Sequence, residues 1–115
     1  MRHHNQNRKF SRVRKVRKAL LNGLARSLVL HQKIETTEAK AKELQPFVDK
    51  LVTKGKTNTV ASRRLVSTKI GPKATGEIFS KIAEKYEKRN GGYTRVTKLS
   101  RRLSDGSKMA IIEFV

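Results

Sequence analysis

The sequence predicts a single α+β domain, with about four helices packed on a small three-stranded mixed sheet and an extended basic N-terminal arm. Three observations carry this. Apolar residues recur at three- and four-residue steps through much of the region from Val13 to Lys88, which is the helical period. Two later stretches, Tyr93 to Leu99 and Met109 to Val115, are β-branched or continuously apolar instead. Residues 1–11 have no apolar period at all and read as a flexible basic arm, leaving 12–115 as the globular body.

The first helix is expected from Val13 to His31, with Val13, Val16, Leu20, Leu24 and Leu28 as one stripe and Arg12, Lys15, Lys18 and Arg26 facing away. Arg17 falls inside the stripe, so the first turns are read as projecting beyond the core toward a ligand, although an Arg snorkelling along an apolar face would give the same pattern. Lys33 to Thr36 is a short edge strand. Thr36 or Thr37 then caps a second helix over 38–53, whose Ala41, Leu44, Val48 and Leu51 share a face. Pro46 should kink or break that helix, because it removes a backbone donor and clashes one turn back. Gly55 is read as its end. A short third helix is expected from an Asn58 cap to about Lys69, and Gly71-Pro72 punctuates the chain. A fourth, over 74–88, carries Ile78, Ile82 and Tyr86 at four-residue steps and stops at Asn90-Gly91-Gly92. Met109 to Val115 is apolar on both faces and so should be the central strand, covered by helices.

Charge narrows the function more than the fold does. The 115 residues hold 28 Lys or Arg against 9 Asp or Glu, a formal net charge of +19. Such a surplus repels itself unless a polyanion neutralises it, and nucleic acid is the usual one. Membrane binding wants a basic helix with a Trp- or Phe-rich face, yet Trp is absent and aromatics total 5%. The same scarcity argues against stacking of single-stranded bases and for contact with phosphate and folded shape. Most of the cations lie in three acid-free blocks, residues 1–18, 50–76 and 88–104, while the acids fall mostly in 35–49 and 77–87. No apolar run reaches the roughly 18 residues of a membrane helix, and no cleavable leader is read at the start, which favours the cytoplasm.

Catalytic readings fail on spacing. Lys54-Gly55-Lys56-Thr57 resembles the end of a phosphate-binding loop, but position 50 is Lys where the motif needs Gly. His3, His4 and His31 have no metal-site spacing, there is no Cys, and the acids form no obvious general acid/base pair. Neither an enzyme nor a cofactor is expected. Arg8 to Lys18 has the composition of an import signal, but its apolar residues continue in phase into Leu20, Leu24 and Leu28, so it belongs to the domain.

Met1-Arg2-His3, Ala25-Arg26-Ser27-Leu28-Val29, Ile34-Glu35-Thr36-Thr37 and Lys40-Ala41-Lys42-Glu43-Leu44 follow one another in a familiar order. Val60-Ala61-Ser62-Arg63-Arg64-Leu65, Gly91-Gly92-Tyr93-Thr94-Arg95-Val96 and Met109-Ala110 to Glu113 complete it. End to end, the chain resembles the family of the seventeenth protein of the bacterial large ribosomal subunit. The resemblance implies a structural protein, one copy per ribosome, bound to large-subunit ribosomal RNA near the outer end of the nascent-chain exit tunnel. Neighbouring large-subunit ribosomal proteins are its other partners, and neither a membrane nor a small-molecule substrate is implied. Arg2 and His3 match the family's arm, and Arg63 and Arg64 its helix pair. His4 to Ser11 do not match closely, and Pro46 departs from the pattern.

From charge and resemblance together, the residues expected to touch RNA are Arg2, His3, His4, Arg8, Lys9, Arg12, Arg14, Lys15, Arg17, Lys18, Arg63, Arg64, Arg95, Arg101 and Arg102. The reading from a different class is an architectural DNA-binding protein, which predicts a two-fold dimer with comparable affinity for duplex DNA. No dimerising heptad or wedge-tipped arm supports it.

Overall fold

A computed structural model describes residues 8–115. Among them, helix α1 (Arg14–His31), strand β1 (Lys33–Thr37), helices α2 (Glu38–Thr57) and α3 (Val60–Glu77), and strands β2 (Thr94–Lys98) and β3 (Met109–Phe114) follow in order. The helices are three rather than four. Gly71 leaves the helical region (φ 81°, ψ 169°), but Pro72 restarts the helix in the first-turn position where a missing N–H costs nothing. The Thr75 hydroxyl donates to the Gly71 carbonyl at 2.6 Å and ties the two halves together. The run passes on into a π-helical turn (Ile78–Ile82) and a closing turn (Ala83–Lys85), so the expected third and fourth helices are one kinked rod.

Helix ends follow capping chemistry. The Thr37 hydroxyl accepts from the Lys40 N–H and opens α2, as expected. Asn58 does not cap α3. It closes α2 in the left-handed conformation at φ 50°, and Thr59 opens α3 by accepting from the Ser62 N–H at 3.1 Å. Pro46 does not break α2, which runs unbroken through it. The ring lies at an exposed position, and the carbonyl it frees belongs to exposed Lys42, where water can replace the lost donor.

Gly55 does not end α2 either. It is buried two residues before the helix end, and a Cβ there would stand 2.5 Å from Ile78 Cγ2. The glycine lets the α2 backbone touch the π turn.

The sheet is antiparallel throughout rather than mixed, in the order β1-β3-β2. β1 and β2 do run parallel to each other, but β3 lies between them and opposes both. Ile34, Ile112 and Val96 form one cross-strand row, and Thr36, Ala110 and Lys98 the next. Helix α2 packs on the face that carries Ala110 and Ile112. The opposite face, with Met109, Ile111 and Glu113, is only half-buried, so β3 is central but covered on one side.

The core lies between that sheet face and the helices. Leu28 and Val29 of α1, Leu44, Val48, Leu51 and Val52 of α2, and Val66 and Ile70 of α3 are fully buried with Ile78 and Ile112. Each contributes about 1.5–3 kcal/mol relative to exposure. Leu20 and Leu24 of the apolar stripe of α1, and Ile111 of the strand expected to be covered by helices, are half-buried. Tyr93 is buried too, its hydroxyl donating to the Arg89 carbonyl at 3.2 Å and accepting from Lys56 Nζ at 3.2 Å.

Candidate nucleic-acid interface

Helix α1 is amphipathic only in its second half. The stripe begun at Val13 runs from 70% exposed there and 49% at Val16, through half-buried Leu20 and Leu24, to fully buried Leu28. The first turns therefore leave the core, the first of the two readings of Arg17, while Arg17 itself is half-buried. They carry exposed Arg14, Lys15 and Lys18, no acid in the first turn, and no side-chain cap. Cations at a helix N-terminus oppose the dipole by roughly 0.3–1 kcal/mol each, a cost that an anion would reverse.

Of the expected arm residues, Arg2, His3 and His4 lie outside the described residues. The end of the arm is placed. Lys9 to Arg12 form a turn closed by the Arg12 N–H on the Lys9 carbonyl at 3.1 Å, with Phe10 and Ser11 at positive φ. The Arg12 guanidinium donates back to the Phe10 carbonyl. Arg8 pairs with Glu43 on α2 at 3.3 Å and shares a hollow with Lys42 and Lys108.

Arg63 and Arg64 sit in the first turns of α3, both exposed. The Arg63 guanidinium lies 4.8 Å over the Phe79 ring, which fixes it while leaving its donors outward. The three C-terminal arginines are partly engaged within the fold. Arg95 donates to Glu113 at 2.7 Å across the half-buried sheet face, with Lys33 at 3.9 Å on the other side. Arg102 donates to Asp105 at 3.1 Å and Arg101 to the Gly106 carbonyl, holding the β2–β3 loop with Leu103 fully exposed at its tip.

The acids are largely spent inside the protein. Glu38, Glu43, Glu77, Asp105 and Glu113 each hold a Lys or Arg partner. The hydrogen bond from Lys42 lowers the Glu38 carboxyl below its usual 4.5, against burial, and Lys98 adds to it. Asp49 differs. Its half-buried carboxylate accepts from the Thr94 hydroxyl at 3.2 Å, joining α2 to β2, and burial pushes its pKa up.

Sequence reasoning missed a further set of cations. Lys50 of α2 and Lys69 of α3 meet Arg17 and Lys18 of α1 around a groove of about 270 Å³. Its signal was present in the acid-free block 50–76, but the meeting of three helices is not visible in sequence. Lys69 has its pKa lowered, by burial first and then by Lys54, Lys18 and Lys50. Among the described residues, no three of His, Asp and Glu gather to hold a metal, and no helix is long and apolar enough to cross a membrane.

Comparison with known proteins agrees with the sequence resemblance. Residues 20–115 match the family model described as ribosomal protein L17. A large ribosomal subunit protein bL17 from Persephonella marina is 50% identical, over 100% of this chain and 95% of its own length. The protein of the same name from Gemmatimonas aurantiaca is 46% identical over 100% and 98%. That from Mycoplasmopsis pulmonis is 50% identical over 86% and 88%. With a matching family model over most of its length and full-length relatives at this identity, the chain belongs to the ribosomal protein L17 family, a structural and non-catalytic component of the ribosome.

Proposed function

We propose that this chain is a scaffold of the large ribosomal subunit that binds ribosomal RNA by phosphate and shape, near the outer end of the nascent-chain exit tunnel. One copy per ribosome would sit there beside neighbouring large-subunit proteins. In bacteria the ribosome works in the cytoplasm, and so does this protein. The observation that carries the RNA-binding reading is the first half of α1. It projects past the core with uncapped backbone donors and exposed Arg14, Lys15 and Lys18, while the acids that might balance them are paired elsewhere. A free protein gains nothing from that arrangement; one seated on phosphates does. The residues proposed to touch RNA are the arm, the start of α1 and the Arg63–Arg64 pair, with Arg95, Arg101 and Arg102 contributing the donors their internal partners leave open.

The test is sedimentation of a gently prepared lysate through a sucrose gradient at low and moderate salt, comparing the full chain with one lacking residues 1–11. The full chain should travel with the large subunit and the truncated one should be depleted from it. Unchanged incorporation of the truncated chain would remove the arm from the interface. Migration of the full chain with DNA, or as a free dimer, would overturn the reading altogether.

A further inference from the structure

We propose that the groove between α1, α2 and α3 is a backbone-phosphate site for ribosomal RNA, lined by Arg17, Lys18, Lys50 and Lys69, with Lys54 close to Lys69. The proposal rests on the RNA-binding reading above and extends it to a surface that neither the arm nor the paired arginines supply.

Three features set this groove apart from a solvated basic face. Its cations come from elements far apart in sequence: Arg17 and Lys18 from α1, Lys50 from α2 and Lys69 from α3. Lys54 follows Lys50 by one helical turn and lies close enough to Lys69 to disfavour its charge. A fold with no use for their juxtaposition would scatter them, since like charges at such spacings repel.

The second feature is that no acid of the described chain is paired with these cations. Among the described residues none of these five side chains forms an ion pair. Glu43 is the one acid lining the groove, and Arg8 already engages it at 3.3 Å. The third feature is that one of the cations, Lys69, is positioned. Lys69 Nζ lies 5.4 Å over the ring of Phe47, which with Leu21 and Pro46 forms the apolar wall. Its lowered pKa reports the same crowding: burial and then Lys54, Lys18 and Lys50 disfavour the charge. A phosphodiester would supply the missing anion to several ammonium groups at once, and Arg17 offers it a two-pronged donor.

The experiment measures equilibrium binding of the full chain to purified large-subunit ribosomal RNA between 0.05 and 0.3 M salt. The groove variant is K50Q/K54Q/K69Q. The control, K73Q/K81Q/K85Q, removes the same charge from a second lysine-lined hollow at the other end of α1, beside His31. Each phosphate no longer neutralised should flatten the log–log salt slope by about 0.7–0.9, so the groove variant should bind about 50- to 150-fold more weakly at 0.15 M. The control should weaken by less than about fivefold. The free groove variant should melt no lower than wild type, because removing these charges relieves repulsion. If the triple variant does not fold, K69Q alone should bind about four- to fivefold more weakly, with a slope about 0.7–0.9 flatter. Equal weakening in groove and control variants, or an unchanged groove variant, overturns the site. Wild-type affinity that ignores salt is a separate result and overturns the RNA-binding reading itself.

Discussion

Replacing Gly55 with Ala tests the packing of the helical layer most directly. In an open helix this change stabilises by about 1 kcal/mol, because Ala loses less backbone entropy on folding. Here the new Cβ would lie 2.5 Å from Ile78 Cγ2, against about 3.5–4.0 Å for carbons that touch without strain. Ile78 is fully buried, and its Cγ2 branches directly from Cβ, so the methyl cannot swing aside without displacing the rest of the side chain. Overpacking of that severity costs about 2–3 kcal/mol, toward the upper end of the usual range. The net expectation is a destabilisation of about 1–2 kcal/mol. For 115 residues the unfolding entropy converts this to a fall of roughly 4–8 °C in Tm. Thermal and urea unfolding should be followed by circular dichroism at fixed sulfate, which both neutralises the excess charge and steadies weak variants. In an Ile78→Ala background, which removes the offending methyl, Gly55→Ala should change sign and stabilise by about 0.5–1 kcal/mol. A rise in Tm in the wild-type background, or the same penalty in both backgrounds, would refute the close approach of α2 to the π turn.

Other expectations concern charge. Asp49→Asn should be at least as stable as wild type at pH 7, since burial raises the folded carboxyl's pKa and so penalises its ionised form. That advantage should vanish as pH falls through the raised value, read from urea midpoints between pH 7 and 3. Glu113→Gln should act in the opposite sense. The hydrogen bond from Arg95, against burial, holds this carboxyl below its ordinary 4.5, so its contribution is present above that pH and lost as pH falls through the lower folded value. The variant should therefore show a flatter acid limb in the same titration, and an unaltered limb would count against the Lys33–Glu113–Arg95 row. Arg63→Ala with Arg64→Ala should reduce the salt slope of RNA binding by about one unit for each phosphate the pair neutralises. An unchanged slope would take that pair out of the interface.

What was legible in the sequence was local. The bounds of α1 follow from its apolar steps, the start of α2 from Thr37, and the central place of β3 from a strand apolar at nearly every position. What was not legible depended on distant partners. Glycine in a helical stretch reads as a stop, and only Ile78, 23 positions away, shows that Gly55 is a point of close packing. Gly71-Pro72 has the grammar of a break, yet one non-helical residue bends the rod without ending it. Strand direction could not be read from apolar content, which is alike for parallel and antiparallel neighbours of a buried strand. The candidate interface divides the same way. Unbalanced charge pointed to the start of α1 and the Arg63–Arg64 pair, whereas Lys50 and Lys69 gain meaning only when three helices bring them to Arg17 and Lys18. Arg95 was indistinguishable in sequence from a free cation, though Glu113 holds it across the sheet.

The strand order β1-β3-β2 also sets a timetable for synthesis. The middle strand is the last of the three to be made, so β1 and β2 have no sheet neighbour until it arrives. Counting from Thr37 to Phe114, translation at roughly 5–20 residues per second leaves the first strand unpaired for about 4–15 s. A bare strand edge is a template for pairing with other nascent chains, and cells make ribosomal components on crowded polysomes. β1 is suited to that wait: it is short, and Lys33 and Glu35 place exposed charges along it. The same residues that look like ordinary surface in the finished protein thus serve as its guard while it is incomplete.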